Sequence, residues 1–278
     1  MVVNTKFNTI NMAETDLEKN KIGHAESQIK TIIGSKVWWT KDFDQIDEKV
    51  RHLEEIIFSL KDDDLTFSNQ FMSKVPLDTL NLLNDSYCLW ETEIENQFAH
   101  QVLKNPDTRI EEYYLHERFN RLLSKEINLL NGNEYDSVIF IGSGPFPITA
   151  ILFHQMTGKR VDCLELDEAS AKTSKEVFER LGLSDNMKVH IGDGGIYDLG
   201  EYDIVLNALL AKPKFKIMQN VLRTGRDDCK VLCRTSDGLR QLLYESASED
   251  VFNGFDVKGF QCAGFDDTIS TVLLGNKI

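Results

Sequence analysis

Long apolar runs are missing from this sequence: nowhere in its 278 residues does one reach the roughly 18 to 20 needed to cross a bilayer. The opening MVVNTKFNTINMAETDLEKNK carries no hydrophobic signal block, so a cytoplasmic protein with no membrane partner is expected. Positive charge is scarce. Lys and Arg number 31 against 45 Asp and Glu, a formal net charge of -14 that repels a phosphate backbone. No basic patch offsets that field, and nucleic acid is excluded as a partner. The five cysteines, Cys88, Cys163, Cys229, Cys233 and Cys262, are scattered. The closest pair, Cys229 and Cys233, lacks the C-x-x-C spacing of a zinc ribbon, so all five read as reduced, mostly buried small hydrophobes. No His, Cys and carboxylate cluster has metal-ligand spacing, and no protein-bound metal is expected. Proline is rare as well. Only Pro76 and Pro106 fall in the first 132 residues, at a helix start and in a connection, which leaves room for long helices.

Helical periodicity fills that N-terminal part. It covers about Ala13 to Ile33 and Phe43 to Leu60, where Val50, Leu53, Ile56, Ile57 and Leu60 share a face, then Leu77 to Leu103 and Arg109 to Leu130. The turn cluster NGNEYD at 131–136 ends it. Beyond it strands alternate with helices: SVIFIG (137–142), RVDCLELD (160–167), MKVHIGD (187–193), YDIVLNAL (202–209) and CKVLCRTS (229–236). FDVKGFQCAG and DTISTVLLGNK close the chain as a hairpin joined by Gly264 to Asp267. The expected class is therefore α/β: a helical domain over 1–132 and a Rossmann-like domain over 133–278. Five parallel strands plus a terminal hairpin is the layout of the class I S-adenosylmethionine (SAM) methyltransferase fold.

The turn after the first strand reads Gly142-Ser143-Gly144-Pro145-Phe146-Pro147. A dinucleotide loop needs a third glycine where Pro147 stands, and proline has no N–H for a pyrophosphate. What remains is a tight turn whose backbone can approach a ligand without phosphate, such as SAM. Glu165 ends the second strand, where a carboxylate accepts hydrogen bonds from a ribose diol. Asp167 is better placed to N-cap the next helix. Asp193, ending the third strand, is a candidate for the adenine amino group, or simply part of a turn. Asn207 ends the fourth strand at the crevice, with loop capping as its alternative.

FIGSGPFPITAI together with LELDEASA, YDIVLNALLA and LCRTSDGLRQLLYE resembles the nicotianamine synthase family, continuously from about Ser137 to Glu245. The G-S-G-P-x-P-x-T loop is the specific part. The resemblance implies a helical domain over a SAM-binding domain, and an enzyme that transfers the aminobutanoate arm of SAM to an amine and releases methylthioadenosine. Gly142, Ser143, Gly144, Pro145, Glu165, Asp193 and Asn207 would hold SAM. LWETEIENQFAHQ places Glu91 and Glu95 four apart on one helical face with Phe98, like the family's glutamate pair. They would handle the acceptor amine, and a solvated acidic face is the plain alternative. Tyr113 and Tyr114 resemble the family's paired tyrosines, Tyr114 with a catalytic role and Tyr113 with a substrate-binding one, and which of them faces inward stays open. Arg234 and Ser236 stand at the end of the fifth strand, where both would bind substrate and Arg234 could clamp a carboxylate of acceptor or donor. Trp38-Trp39 reads as interhelical packing, with a homodimer interface as the alternative.

The expected activity is SAM-dependent aminobutanoyl transfer to an amino-acid amine, yielding nicotianamine or a similar metallophore precursor. An ordinary SAM methyltransferase is the competing enzyme and would release S-adenosylhomocysteine. A SAM sensor would bind without turnover.

Overall fold

The computed structural model describes residues 20–40, 42–60, 65–130, 134–264 and 266–276. Helix α1 spans 20–33 of the described chain, and the part of that helix expected from Ala13 to Lys19 lies outside it. Helices α2 (Phe43–Ser59), α3 (Leu65–Met72), α4 (Leu77–Lys104) and α5 (His116–Leu129) follow. Asp42 caps α2 by accepting from the Gln45 N–H at 3.2 Å. Pro76 stands at the N-cap of α4, the one place where its missing N–H costs nothing. Helix α3 has no counterpart in the sequence reading.

Residues 109–130 do not form one helix. A single 3-10 turn covers Ile110–Glu112, the Glu112 carboxylate accepts from the Arg109 N–H at 3.4 Å, and α5 begins only at His116. Tyr113 is extended at φ -63°, ψ 126°. At this break Tyr113 is buried and Tyr114 is half-exposed. The tryptophan pair is likewise divided. Trp38 is buried, donating its indole N–H to the Ile32 carbonyl at 2.8 Å, and Trp39 is exposed.

The second half builds one sheet in the order β3-β2-β1-β4-β5-β7-β6. Its strands are β1 (Ser137–Ile141), β2 (Arg160–Glu165), β3 (Met187–Ile191), β4 (Ile204–Asn207), β5 (Lys230–Thr235), β6 (Phe255–Gln261) and β7 (Ser270–Asn276). The first five pair in parallel, and β7 runs antiparallel between β5 and β6. Helices α6 (Ile148–Thr157), α7 (Glu168–Leu181) and α8 (Lys214–Thr224) make the crossovers. Strand alternation divides the core. Val138, Phe140, Val161, Cys163, Ile204 and Leu206 face the apolar cluster shared with α1, α2, α4 and α5. Ile139, Ile141, Leu164 and Val205 face a second cluster with α8. Both faces are covered, which is why these strands read as nearly continuous apolar runs.

Strand order reverses between β1 and β4, opening a crevice at their C-terminal ends. Helix α4 runs past that crevice and packs against α7. Among the described residues no helix is long and apolar enough to cross a membrane.

Candidate active site

The Gly142–Pro147 turn is the floor of the site. Gly142 (φ +79°) and Gly144 (φ +69°) both occupy the left-handed region, which costs an L-residue about 1–2 kcal/mol. Space excludes a side chain at both. A Cβ at Gly142 would come within 2.8 Å of the Ala211 Cβ on the segment after β4, and one at Gly144 would collide with Glu95 Oε2. Pro147 is the N-cap of α6. Between the two prolines, Phe146 is fully buried, its ring 4.8 Å from Phe98 and 5.0 Å from Tyr113. The prolines thus pre-shape a loop whose middle residue anchors to the helical layer.

Glu165 stands at the end of β2 with Oε2 accepting from the Gly144 N–H at 2.8 Å and Oε1 from the Asp167 N–H at 3.0 Å. One lone pair per oxygen stays open, the number a vicinal diol requires. Asp167 caps α7 through the Ala169 and Ser170 N–H groups, each at 3.1 Å. Asp193 lies in the same cleft. Its Oδ1 accepts from the Gly195 N–H at 2.7 Å and its Oδ2 from Lys216 at 2.5 Å, and these bonds hold its carboxyl below the usual range. The cleft has a volume of about 680 Å³ between this rim and the α4 wall of Cys88, Thr92, Glu95 and Asn96.

A second, smaller chamber of about 40 Å³ adjoins it, lined by Glu91, Glu95, Phe119, Phe140, Thr149 and Arg234 among others. Glu95, Gly142 and Leu210 line both spaces. Glu95 sits at the junction and accepts from the Phe146 backbone N–H. Burial, then the neighbouring charges of Glu91 and Glu165, push its carboxyl well up. Glu91 Oε2 accepts from the Tyr244 hydroxyl at 2.6 Å, and burial raises its carboxyl too. Tyr113 is buried beside this pair, and its hydroxyl has no hydrogen-bond partner among the described residues. Behind Tyr244 the Tyr87 ring packs edge-on at 4.5 Å, its hydroxyl donating to Glu54 at 2.5 Å. Arg118 holds Glu54 with two bonds, 2.7 and 2.9 Å.

Four residues expected at the site are placed elsewhere or engaged otherwise. Tyr114 is half-exposed on the outer surface, under the Arg51 guanidinium at 4.1 Å, and does not reach the chamber. Asn207 lines neither space: it is buried on the α8 side and accepts from Lys214 at 3.0 Å. Lys214 also donates to the Ala208 carbonyl at 2.6 Å, and burial brings its ammonium down to about 8. Ser236 is buried and donates to the Tyr244 carbonyl at 2.6 Å, so it supports the tyrosine under Glu91 and lines neither space. Arg234 does line the chamber, but both Glu126 oxygens take its Nε and Nη2 at 2.9 Å and Thr149 takes Nη1 at 3.0 Å. Its charge is already compensated, so a carboxylate there would meet a neutral pair. Glu126, Phe146 and Tyr244 escaped the sequence reading. Only Phe146 left a signal, as the one bulky residue between two prolines.

The sheet order, the double-glycine turn after β1 and the carboxylate ending β2 define a class I SAM-methyltransferase fold, here with an acidic, aromatic-walled chamber added beneath a helical layer. The chain belongs to the nicotianamine synthase protein family, whose sequence model matches residues 44–278. An L-histidine 2-aminobutanoyltransferase of Yersinia pestis is 26% identical over 146 residues, covering 52% of this chain and 54% of the relative. Nicotianamine synthase 2 of Arabidopsis thaliana is 26% identical over 191 residues, 63% of this chain and 58% of the relative. The chain thus spans little more than half the length of these curated relatives. Among solved structures, a glutamate-to-glutamine variant of MtNAS in complex with S-adenosylmethionine superposes with a TM-score of 0.78 at 25% identity, covering 93% of this chain and 98% of that one. MtNAS in complex with MTA and tNA gives 0.77 at 25% identity, covering 95% and 98%.

Proposed function

We propose that this protein is a SAM-dependent 3-amino-3-carboxypropyl (aminobutanoyl) transferase, with the helices of 1–132 forming the cover and 133–278 the donor-binding part. The observation that carries this reading is the chamber itself: a small space with two glutamates in its wall opening off a nucleoside-sized cleft, with Glu95 at the junction. The cleft residues fit the donor. Gly142 and Gly144 offer backbone without side chains, Glu165 keeps two acceptor sites for a ribose diol, and about 680 Å³ lies within the usual range of small-molecule sites.

The donor supplies a carbon, Cγ, made electrophilic by the adjoining sulfonium. The acceptor nitrogen bonds to Cγ, the Cγ–S bond breaks, and methylthioadenosine leaves with the electron pair. An amino-acid ammonium has no free lone pair, so the acceptor nitrogen must first lose a proton. Carboxylates whose affinity for protons is raised by burial are suited to take it near neutral pH, and Glu91 and Glu95 are two such groups at one chamber. Tyr244 fixes Glu91, the Phe146 N–H fixes Glu95, and Phe119 and Phe140 give the chamber an apolar wall. Glu95→Gln or Glu91→Gln should therefore lower turnover more than donor affinity.

The acceptor is an amino-acid amine in the cytoplasm, and the product a nicotianamine-like chelator of amines and carboxylates. The names of the relatives, one transferring to histidine and one making nicotianamine, support that class. Incubation with SAM and a panel of amino acids tests it. One acceptor should gain the mass of one or more aminobutanoate units, and a panel in which none gains it would end the proposal.

A further inference from the structure

The α-carbon of the aminobutanoate arm carries both an ammonium and a carboxylate, and these demand opposite charges, an anion for the first and a cation for the second. Cleft and chamber supply acids freely: Glu91, Glu95, Glu165 and Asp193. Cations are few. Arg234 is spent on Glu126, and Lys212 is the one lysine or arginine among the described residues lining the cleft. We propose that Lys212 is the clamp for the donor's α-carboxylate, a role that rests on the transferase reading above.

Position supports it. Lys212 belongs to the segment after β4 that packs on the glycine turn, where Ala208 and Ala211 leave no room for a side chain at Gly142. That segment borders the crevice at the strand-order reversal, where the reacting end of a ligand belongs. The groups facing Lys212 are Glu245, Cys88 on the α4 wall and Lys214. Only Glu245 pairs with it, at 2.9 Å, and that pair is 38% and 60% exposed on its two sides. An ion pair so open to water is worth little and is readily exchanged. Glu245 thus keeps the ammonium in place until a donor carboxylate displaces it. Adenosine held at Glu165 and carboxylate held at Lys212 fix the donor at both ends across the Gly142 turn.

Binding of SAM, decarboxylated SAM and methylthioadenosine to the wild type, Lys212→Met and Glu245→Gln provides the test. The wild type should prefer SAM to decarboxylated SAM by about 10- to 100-fold, the worth of a charge-assisted hydrogen bond. Lys212→Met should lose that factor for SAM and bind the other two ligands as before, which also shows that it is folded. Glu245→Gln should bind SAM a few-fold more tightly, because the competitor is gone. A Lys212→Met protein that keeps its preference for SAM, or weakens all three ligands alike, overturns the clamp and leaves the transferase reading standing. A wild type that binds none of them overturns both.

Discussion

Replacing Gly144 with alanine sets a methyl group where Glu95 Oε2 now lies, at a residue whose φ is +69°. Two costs follow, and they can be separated. The left-handed backbone penalty is about 1–2 kcal/mol, which at roughly 2–4 °C per kcal/mol for a chain of this size lowers the melting temperature by about 2–8 °C. The second cost is functional. Glu95 must move away from the Phe146 N–H and out of the junction between cleft and chamber, and a displacement of about 1 Å at a reacting group can cost about 100-fold in rate. Gly158 is the control, since it has φ +70° and nothing within 4 Å of an added Cβ. Gly158→Ala should lose similar thermal stability and keep its turnover; Gly144→Ala should lose both. Differential scanning calorimetry and chromatographic assay of methylthioadenosine release give the two readouts. Equal turnover in the two variants would refute the placement of Glu95 as a working group.

Tyr113→Phe should slow turnover, because it removes a buried hydroxyl beside Glu91 and Glu95, whereas Tyr114→Phe should leave kcat and KM unchanged. Equal effects in steady-state kinetics would cancel that distinction. Glu126→Gln should destabilise the fold by about 3–5 kcal/mol in urea unfolding, since it strands the Arg234 charge at 2% exposure. A loss under about 1 kcal/mol would mean that the pair is not the closed network described. For Glu95, the folded-state affinity for a proton exceeds that of the unfolded chain, whose carboxyl titrates near 4.5. Folded protein then holds a proton that unfolded protein has released, so stability falls as pH rises above about 4.5 until the folded group also ionises. Unfolding titrations of the wild type and Glu95→Gln should diverge in that direction, the variant gaining relative stability toward neutral pH. A pH-independent difference would contradict the buried placement.

The sheet was legible because strands covered on both faces stay apolar throughout, and because glycine turns and acidic strand ends punctuate them in a fixed rhythm. The Gly142–Pro147 loop and Glu165 were legible for the same local reason: their chemistry lies in backbone conformation and strand position. Tyr113 and Tyr114 were not, because their orientation depends on a helix that starts only at His116. Periodicity alone continues that helix back to Arg109. The pairing of Arg234 with Glu126 was not legible either, because Glu126 lies 108 residues earlier in the chain. The tyrosine that holds Glu91 lies 153 residues beyond it. Pairings across such distances are decided by packing between layers, which leaves no local trace.

The choice of carbon is the heart of the account, and SAM labelled in its methyl group tests it most directly. After incubation with a competent acceptor, the label should leave entirely in methylthioadenosine while the acceptor gains an unlabelled aminobutanoate. Label transferred to the acceptor, with S-adenosylhomocysteine as the spent donor, would contradict it.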